Sequence, residues 1–299
     1  SGSSLAWSAA TSAAASRGCM TMIQKLNSID VRILYLIMVV AAIYPLLNPI
    51  GLPLPITDRV RDSYAAIDAL QPGDLVFYGI DYSPTQEAEM WPQTLAIGHH
   101  LARKGVKIVM LNMIEGAYRY EERIRDIILD EYPEYQYGVN IIALPFTAGR
   151  EAAFMSVVQD FKGLYTYDLA GAPVGDLPLW NEINGAGDFT MYVELADAAD
   201  WWLRPMSQVP GLQLWTGTVA SGASTMAPLY QSGQMVGFIY GMAGAAEYEV
   251  LVKKPGSAAA AMDTQSMGHA LIILFVILGN IGYQAQKSAE AKAKAAAKK

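Results

Sequence analysis

The chain has 299 residues, 53% of them hydrophobic and 16% charged, with a formal net charge of -7 and one cysteine. Soluble domains carry roughly a quarter charged residues, so this composition leans toward the membrane. It excludes a disordered chain, a collagen-like repeat and a disulfide-stapled secreted module, and its acidity argues against a nucleic-acid partner.

Residues 1–30 form an Ala/Ser-rich leader that contains Cys19 and lacks the basic start and apolar stretch of a signal peptide. Met20 and Met22 are candidate native starts. A first membrane span is expected over 31–50, because Ile33 to Thr57 contain no charge and Ile33 to Leu47 are densely apolar. Pro45 is expected to kink or end it. A second span is expected over 266–284, inside the charge-free run Thr264 to Gln286. Tyr35, Tyr44 and Tyr283 suit interfacial anchoring, and His269 opens the second span. A basic tail, 285–299, follows and is expected to be a frayed helix near lipid headgroups or to lack structure.

Charge sets the expected orientation. The two ends together hold 8 basic and 2 acidic residues, a net of +6. Residues 51–265 hold 13 basic and 26 acidic residues, a net of -13. The positive-inside rule counts Lys and Arg close to the spans. It predicts a two-pass protein of the cell membrane, with both termini cytoplasmic and the 51–265 domain extracytoplasmic.

Within 51–265, short apolar runs alternate with amphipathic stretches. Helix is expected over Arg59–Leu70, strand over Asp74–Asp81, and helix over Thr85–Lys104, closed by Gly105. Strand Val106–Asn112, helix Ala117–Glu131, strand Val139–Phe146 and helix Arg150–Phe161 follow. Gly163 to Gly187 shows neither period, and a loop of that length suggests a functional or interface segment. Alternation resumes with strand Asp188–Leu195, a helix around Asp197–Arg204 and strand Leu212–Val219. Helix Met226–Ser232, strand Met235–Met242 and helix Ala245–Lys253 complete it. Six apolar strands separated by helices predict an α/β fold: a Rossmann-like, doubly wound, mostly parallel sheet flanked by two transmembrane helices.

In such a sheet, ligands bind beyond the carboxyl ends of the strands. Asp81, Glu115, Glu194, Asp197 and Ser221 fall there and are the candidate ligand-binding residues. The four acids suit a hard divalent cation through oxygen ligands, or alternatively cap helix N-termini. His99 and His100 are adjacent on one helix, which is not the i, i+4 spacing of a zinc pair. Ser221 lacks a G-x-S-x-G elbow, and no phosphate-binding glycine loop occurs. Gly237, Gly241 and Gly244 read as sites of close strand–helix packing. No catalytic residue, metal site or cofactor is therefore expected. Trp180, Trp201, Trp202, Trp215 and the run Tyr132, Tyr135, Tyr137 suggest either core or an aromatic docking surface.

Several stretches, LNPIGLPLPIT, LQPGDLVFYGIDYSP, KGVKIVMLNM, YQSGQMVGFIYGMAGAAEYEVL and MDTQSMGHALIILFVILGNIGY, resemble an uncharacterised prokaryotic family of membrane-anchored α/β proteins. The likeness covers about Asn27 to Tyr283, with GAAEYE joined to the second span as its most specific part. It implies one transmembrane helix at each end and carries no activity or catalytic residue. The expected function is a non-catalytic scaffold or accessory subunit of a larger membrane assembly. Its expected partners are membrane lipids and other subunits or copies of itself. The alternative is an anchored enzyme, or a receptor for a small ligand or metal, that uses the strand-end acids.

Overall fold

The computed structural model describes residues 30–197 and 200–297. The leader with Cys19, part of the stretch expected to be helical around Asp197–Arg204, and the last two lysines lie outside the described residues. The chain divides into two compact units, one spanning Gly51–Met262 and the other combining residues up to Ile50 with those from Asp263 onward.

In the Gly51–Met262 unit the strands are β1 (Leu75–Asp81), β2 (Lys107–Leu111), β3 (Ile141–Ala143), β4 (Met191–Ala196), β5 (Gln213–Thr218) and β6 (Gly237–Tyr240). They form one all-parallel sheet in the order β3-β2-β1-β4-β5-β6. This is the Rossmann-like order, and the direction of winding reverses between β1 and β4. The helices of the chain are α1 (Val31–Leu47), α2 (Asp58–Asp68), α3 (Glu87–Lys104), α4 (Tyr118–Glu131), α5 (Glu151–Leu164), α6 (Pro178–Glu182), α7 (Leu203–Met206), α8 (Ala223–Gln231), α9 (Gly241–Leu251) and α10 (Ser257–Ala296).

The near-continuous apolar strands follow from burial on both faces. Val76, Tyr78 and Ile80 alternate toward a core closed by α2, α3, α4 and α9. Phe77, Tyr192, Leu214 and Phe238 point the other way, into a core closed by α5, α6, α7 and α8. Gly105 adopts φ +66° and stops α3, as a left-handed glycine does.

Several expectations are corrected. Strand β3 is shorter than Val139–Phe146, because Val139 and Asn140 turn back to Gln136 and Pro145 has no donor for the ladder. Strand β6 stops at Tyr240, and Gly241, at φ +66°, opens α9. The segment Gly163–Gly187 is not a free loop. It carries α6 and two 3-10 turns, Val174–Asp176 and Ala186–Asp188, and buries Tyr165, Leu179 and Trp180 against α5. The suggested aromatic docking surface is largely core: Trp180, Trp202 and Trp215 are buried, and Trp201 lies half-buried beneath the Arg150 guanidinium at 4.7 Å. Gly237 clears the indole of Trp215 on the paired strand rather than a helix, since a Cβ there would lie 2.0 Å from that ring.

Helix α9 carries GAAEYE. Glu247 Oε2 accepts from both the backbone and the hydroxyl of Thr57, each at 2.7 Å, just before α2. Buried Glu249 accepts from the amides of Gly256, Ala258 and Ala259 at 2.9, 3.2 and 2.8 Å. It thereby satisfies the otherwise orphaned donors at the start of α10 and complements the helix dipole. Ala245 and Ala246 pack against Ala258, Leu54 and Met262.

In the other unit, Asp30 caps α1 by accepting from the Arg32 amide at 2.9 Å. The helix runs through Pro45 and ends at Leu47, 17 residues in all. At 1.5 Å per residue this is about 25 Å. Among the described residues only the stretch Ser257–Ala291 of α10 is a helix long and apolar enough to cross a membrane. Helix continues to Ala296, so the described part of the basic tail is helical.

Candidate functional site

The carboxyl ends of β1 and β4 meet at the reversal of winding. Register sets Gly79 opposite Glu194 and Asp81 opposite Ala196. Asp81, Tyr192 and Glu194 lie on the same side of the sheet as Phe77. Asp81 Oδ1 accepts from the Met113 amide at 2.5 Å, and Glu194 Oε2 accepts from the Tyr192 hydroxyl. Asp81 and Glu194 are diagonal neighbours on the same face of the paired strands, and each acts on the other's titration. Asp81 Oδ2 and Glu194 Oε1 are buried without a hydrogen-bond partner among the described residues. Two carboxylate oxygens are both acceptors, so the two can satisfy each other only if one carboxyl keeps its proton.

The hollow that holds Glu194 is made by Gly79. A Cβ at that position would lie 2.0 Å from Glu194 Oε2 and 2.7 Å from the Tyr192 hydroxyl. Gly217 does the same for Gln93, whose amide nitrogen donates to the Thr218 carbonyl at 3.0 Å. Beside the pair, Asn112 Nδ2 donates to Glu121 Oε2 at 2.8 Å. Thr147 donates to the Tyr165 hydroxyl at 3.1 Å.

Asp81, Glu121 and Glu194 are at most 1% exposed. Burial pushes Asp81 up to about 6, against the opposing pull of the Met113 amide. Glu194 is raised well above the carboxylate range by burial and then by the neighbouring Asp81 charge. Burial raises Glu121 likewise, with the Asn112 bond opposing it.

The structure therefore brings together two of the candidate residues, Asp81 and Glu194. Asp197 is half-buried nearby and acts electrostatically on both. Glu115 does not join them: it lies exposed in the turn between β2 and α4. Ser221 is exposed in the 3-10 turn Ala220–Gly222. Glu121, Asn112 and Tyr192 complete the cluster instead. Among the described residues, no group of three or more His, Cys, Asp or Glu side chains is arranged to hold a metal ion. The arrangement can hold and share protons, but it offers no open carboxylate to a ligand.

Buried His99 and His100 have separate partners. His99 Nδ1 lies 3.1 Å from the Tyr132 hydroxyl, and His100 Nδ1 lies 2.8 Å from that of Tyr248. His100 also stacks on Tyr64 at 4.3 Å. Burial lowers each to about 4, so both are neutral at pH 7.

No family model, curated protein or solved structure matches the chain, and its own geometry carries the functional reading.

Proposed function

We propose that the chain is a membrane-anchored, non-catalytic α/β protein that serves as scaffold or accessory subunit in a larger membrane assembly. The carrying observation is the apolar surface of α10, where Ile273, Val276 and Ile277 are 60%, 57% and 51% exposed on a helix long enough to span a bilayer. In water such a surface is unfavourable at roughly 25 cal/mol per Å². Burial of Asp81 and Glu194, each at most 1% exposed, supports the non-catalytic half of the reading.

In this proposal α1 is a second, shorter span, and both ends lie in the cytoplasm with the acidic domain outside. Eight Lys and Arg on the two ends, against Arg59, Arg61, Lys253 and Lys254 near the spans on the domain side, support that orientation. The shortfall of α1 against a hydrocarbon core of about 30 Å is within what local thinning accommodates.

The test is extraction of the full chain into gentle detergent, with identification of co-purifying chains and of particle mass. Companion subunits or several copies are expected. A monomer free of companions refutes the scaffold reading, and an ion or small molecule retained at Asp81 and Glu194 favours the receptor alternative. Protease added to intact cells is expected to cut the domain. A protected domain with cleaved ends overturns the orientation.

A further inference from the structure

Four buried oxygens of the strand-end cluster have no hydrogen-bond partner among the described residues: Asp81 Oδ2, Glu194 Oε1, Glu121 Oε1 and Asn112 Oδ1. Four unpaired buried acceptors in one place are costly, and their arrangement removes the cost with two protons. Asp81 Oδ2 and Glu194 Oε1, on diagonal neighbours of the paired strands, satisfy each other once one of the two carboxyls holds the first proton. Glu121 and Asn112 are joined through one bond of an acid–amide pair. A carboxyl and a primary amide joined in this way close a two-bond ring once the carboxyl is protonated. Glu121 Oε1 then donates to Asn112 Oδ1, and both remaining orphans are satisfied.

What these protons hold in place is the turn between β2 and α4. The turn is tied to the cluster through the Met113 amide on Asp81 and the Asn112 side chain on Glu121. We propose that the cluster is a proton-loaded latch on this turn: one proton shared by Asp81 and Glu194, and another shared by Glu121 and Asn112, hold Asn112–Ala117 against the sheet edge. Removing them releases that turn.

The groups facing the latch come from every element around it. Strand β1 contributes Asp81, β4 contributes Tyr192 and Glu194, and Asp197 lies just beyond. Helix α4 contributes Glu121, on which Glu122 and Arg125 act, with Arg125 itself paired to Asp126 at 2.8 Å. Tyr165, past the end of α5, faces both Glu121 and Asp81. Arg125 is the one cation among these neighbours, so lost protons are not replaced by an abundance of positive charge. Burial raises all three carboxyls, so the folded state holds protons that the unfolded chain has released. The latch consequently weakens as pH rises. Opening that releases one proton becomes about tenfold more favourable per pH unit.

The test is hydrogen exchange on the full chain in nanodiscs, with the intrinsic pH dependence of exchange removed. The Met113 and Ile114 amides are expected to lose protection by about tenfold per pH unit once the cluster titrates. In the double variant Asp81→Asn, Glu121→Gln, amide hydrogens take the place of both protons, and the pH response of these amides should flatten. Wild-type protection that is independent of pH, or a double variant with the wild-type slope, overturns the latch. Should the double variant not fold, infrared spectra of the wild type decide. Protonated-carboxyl bands at neutral pH that vanish in step with turn protection support the proposal, and absence of such bands refutes it.

Discussion

Replacing Gly79 by alanine should destabilise the domain far beyond what one methyl group suggests, and the cost should depend on Glu194. The new Cβ would stand 2.0 Å from Glu194 Oε2, where ordinary contacts begin at 3.4 Å, and 2.7 Å from the Tyr192 hydroxyl. Glu194 is fully buried, so it cannot swing into solvent. Overpacking costs about 1–3 kcal/mol, and breaking the hydrogen bonds of a buried polar group adds about 1–3 kcal/mol. Together they place Gly79→Ala at about 2–6 kcal/mol. In a Glu194→Ala background the nearer obstacle is gone and only the Tyr192 hydroxyl remains, so the same substitution should cost about 1–3 kcal/mol. The coupling between the two sites is therefore about 1–3 kcal/mol, the cost of the broken hydrogen bonds. Denaturant unfolding in detergent of fixed composition, followed through buried Trp180, Trp202 and Trp215, measures all four corners of the cycle. Costs that add to within about 0.5 kcal/mol would show that Gly79 is not there to make room for the carboxyl.

Because His99 and His100 titrate at about 4 in the fold against 6.5 for a free side chain, the folded state binds fewer protons than the unfolded chain between those values. Stability from the pair is thus full above pH 6.5 and is lost as pH falls toward 4. Imidazole proton shifts should show neither ring charging above pH 5, and a ring titrating near 6.5 would refute its burial. Glu249→Ala should cost about 1–3 kcal/mol and speed exchange at the Ala258 and Ala259 amides while sparing the Thr57 amide, which Glu247 holds. Unchanged protection at Ala258 and Ala259 would count against the cap.

The six strands were legible because a parallel sheet buried on both faces demands apolar runs, and helices between them carry the other period. Strand ends were less so. Val139 before β3 and Met242 after β6 continue the apolar signal past the points where Gln136 and Gly241 turn the backbone. Half of the cluster was also readable, since Asp81 and Glu194 end or nearly end apolar strands. Glu121 was not. It lies in the charged stretch YEERIRD, where composition suggests a solvated face, and only packing of α4 against the sheet turns it inward. Glu115 was misplaced for the complementary reason: strand-end position does not say which way a turn residue points. One unused signal was available in Gly79, a glycine inside an apolar strand, which marks a close approach.

The two glutamates of α9 have a mechanical consequence. Glu247 grips the chain where it comes into the domain and Glu249 grips it where it leaves, two residues apart on one helix. A tug on either tether reaches this clasp before it reaches the sheet. Between the clasps, from Thr57 to Gly256, the domain behaves as a cassette: its ends are fastened to one rod, and the six strands are spared the load.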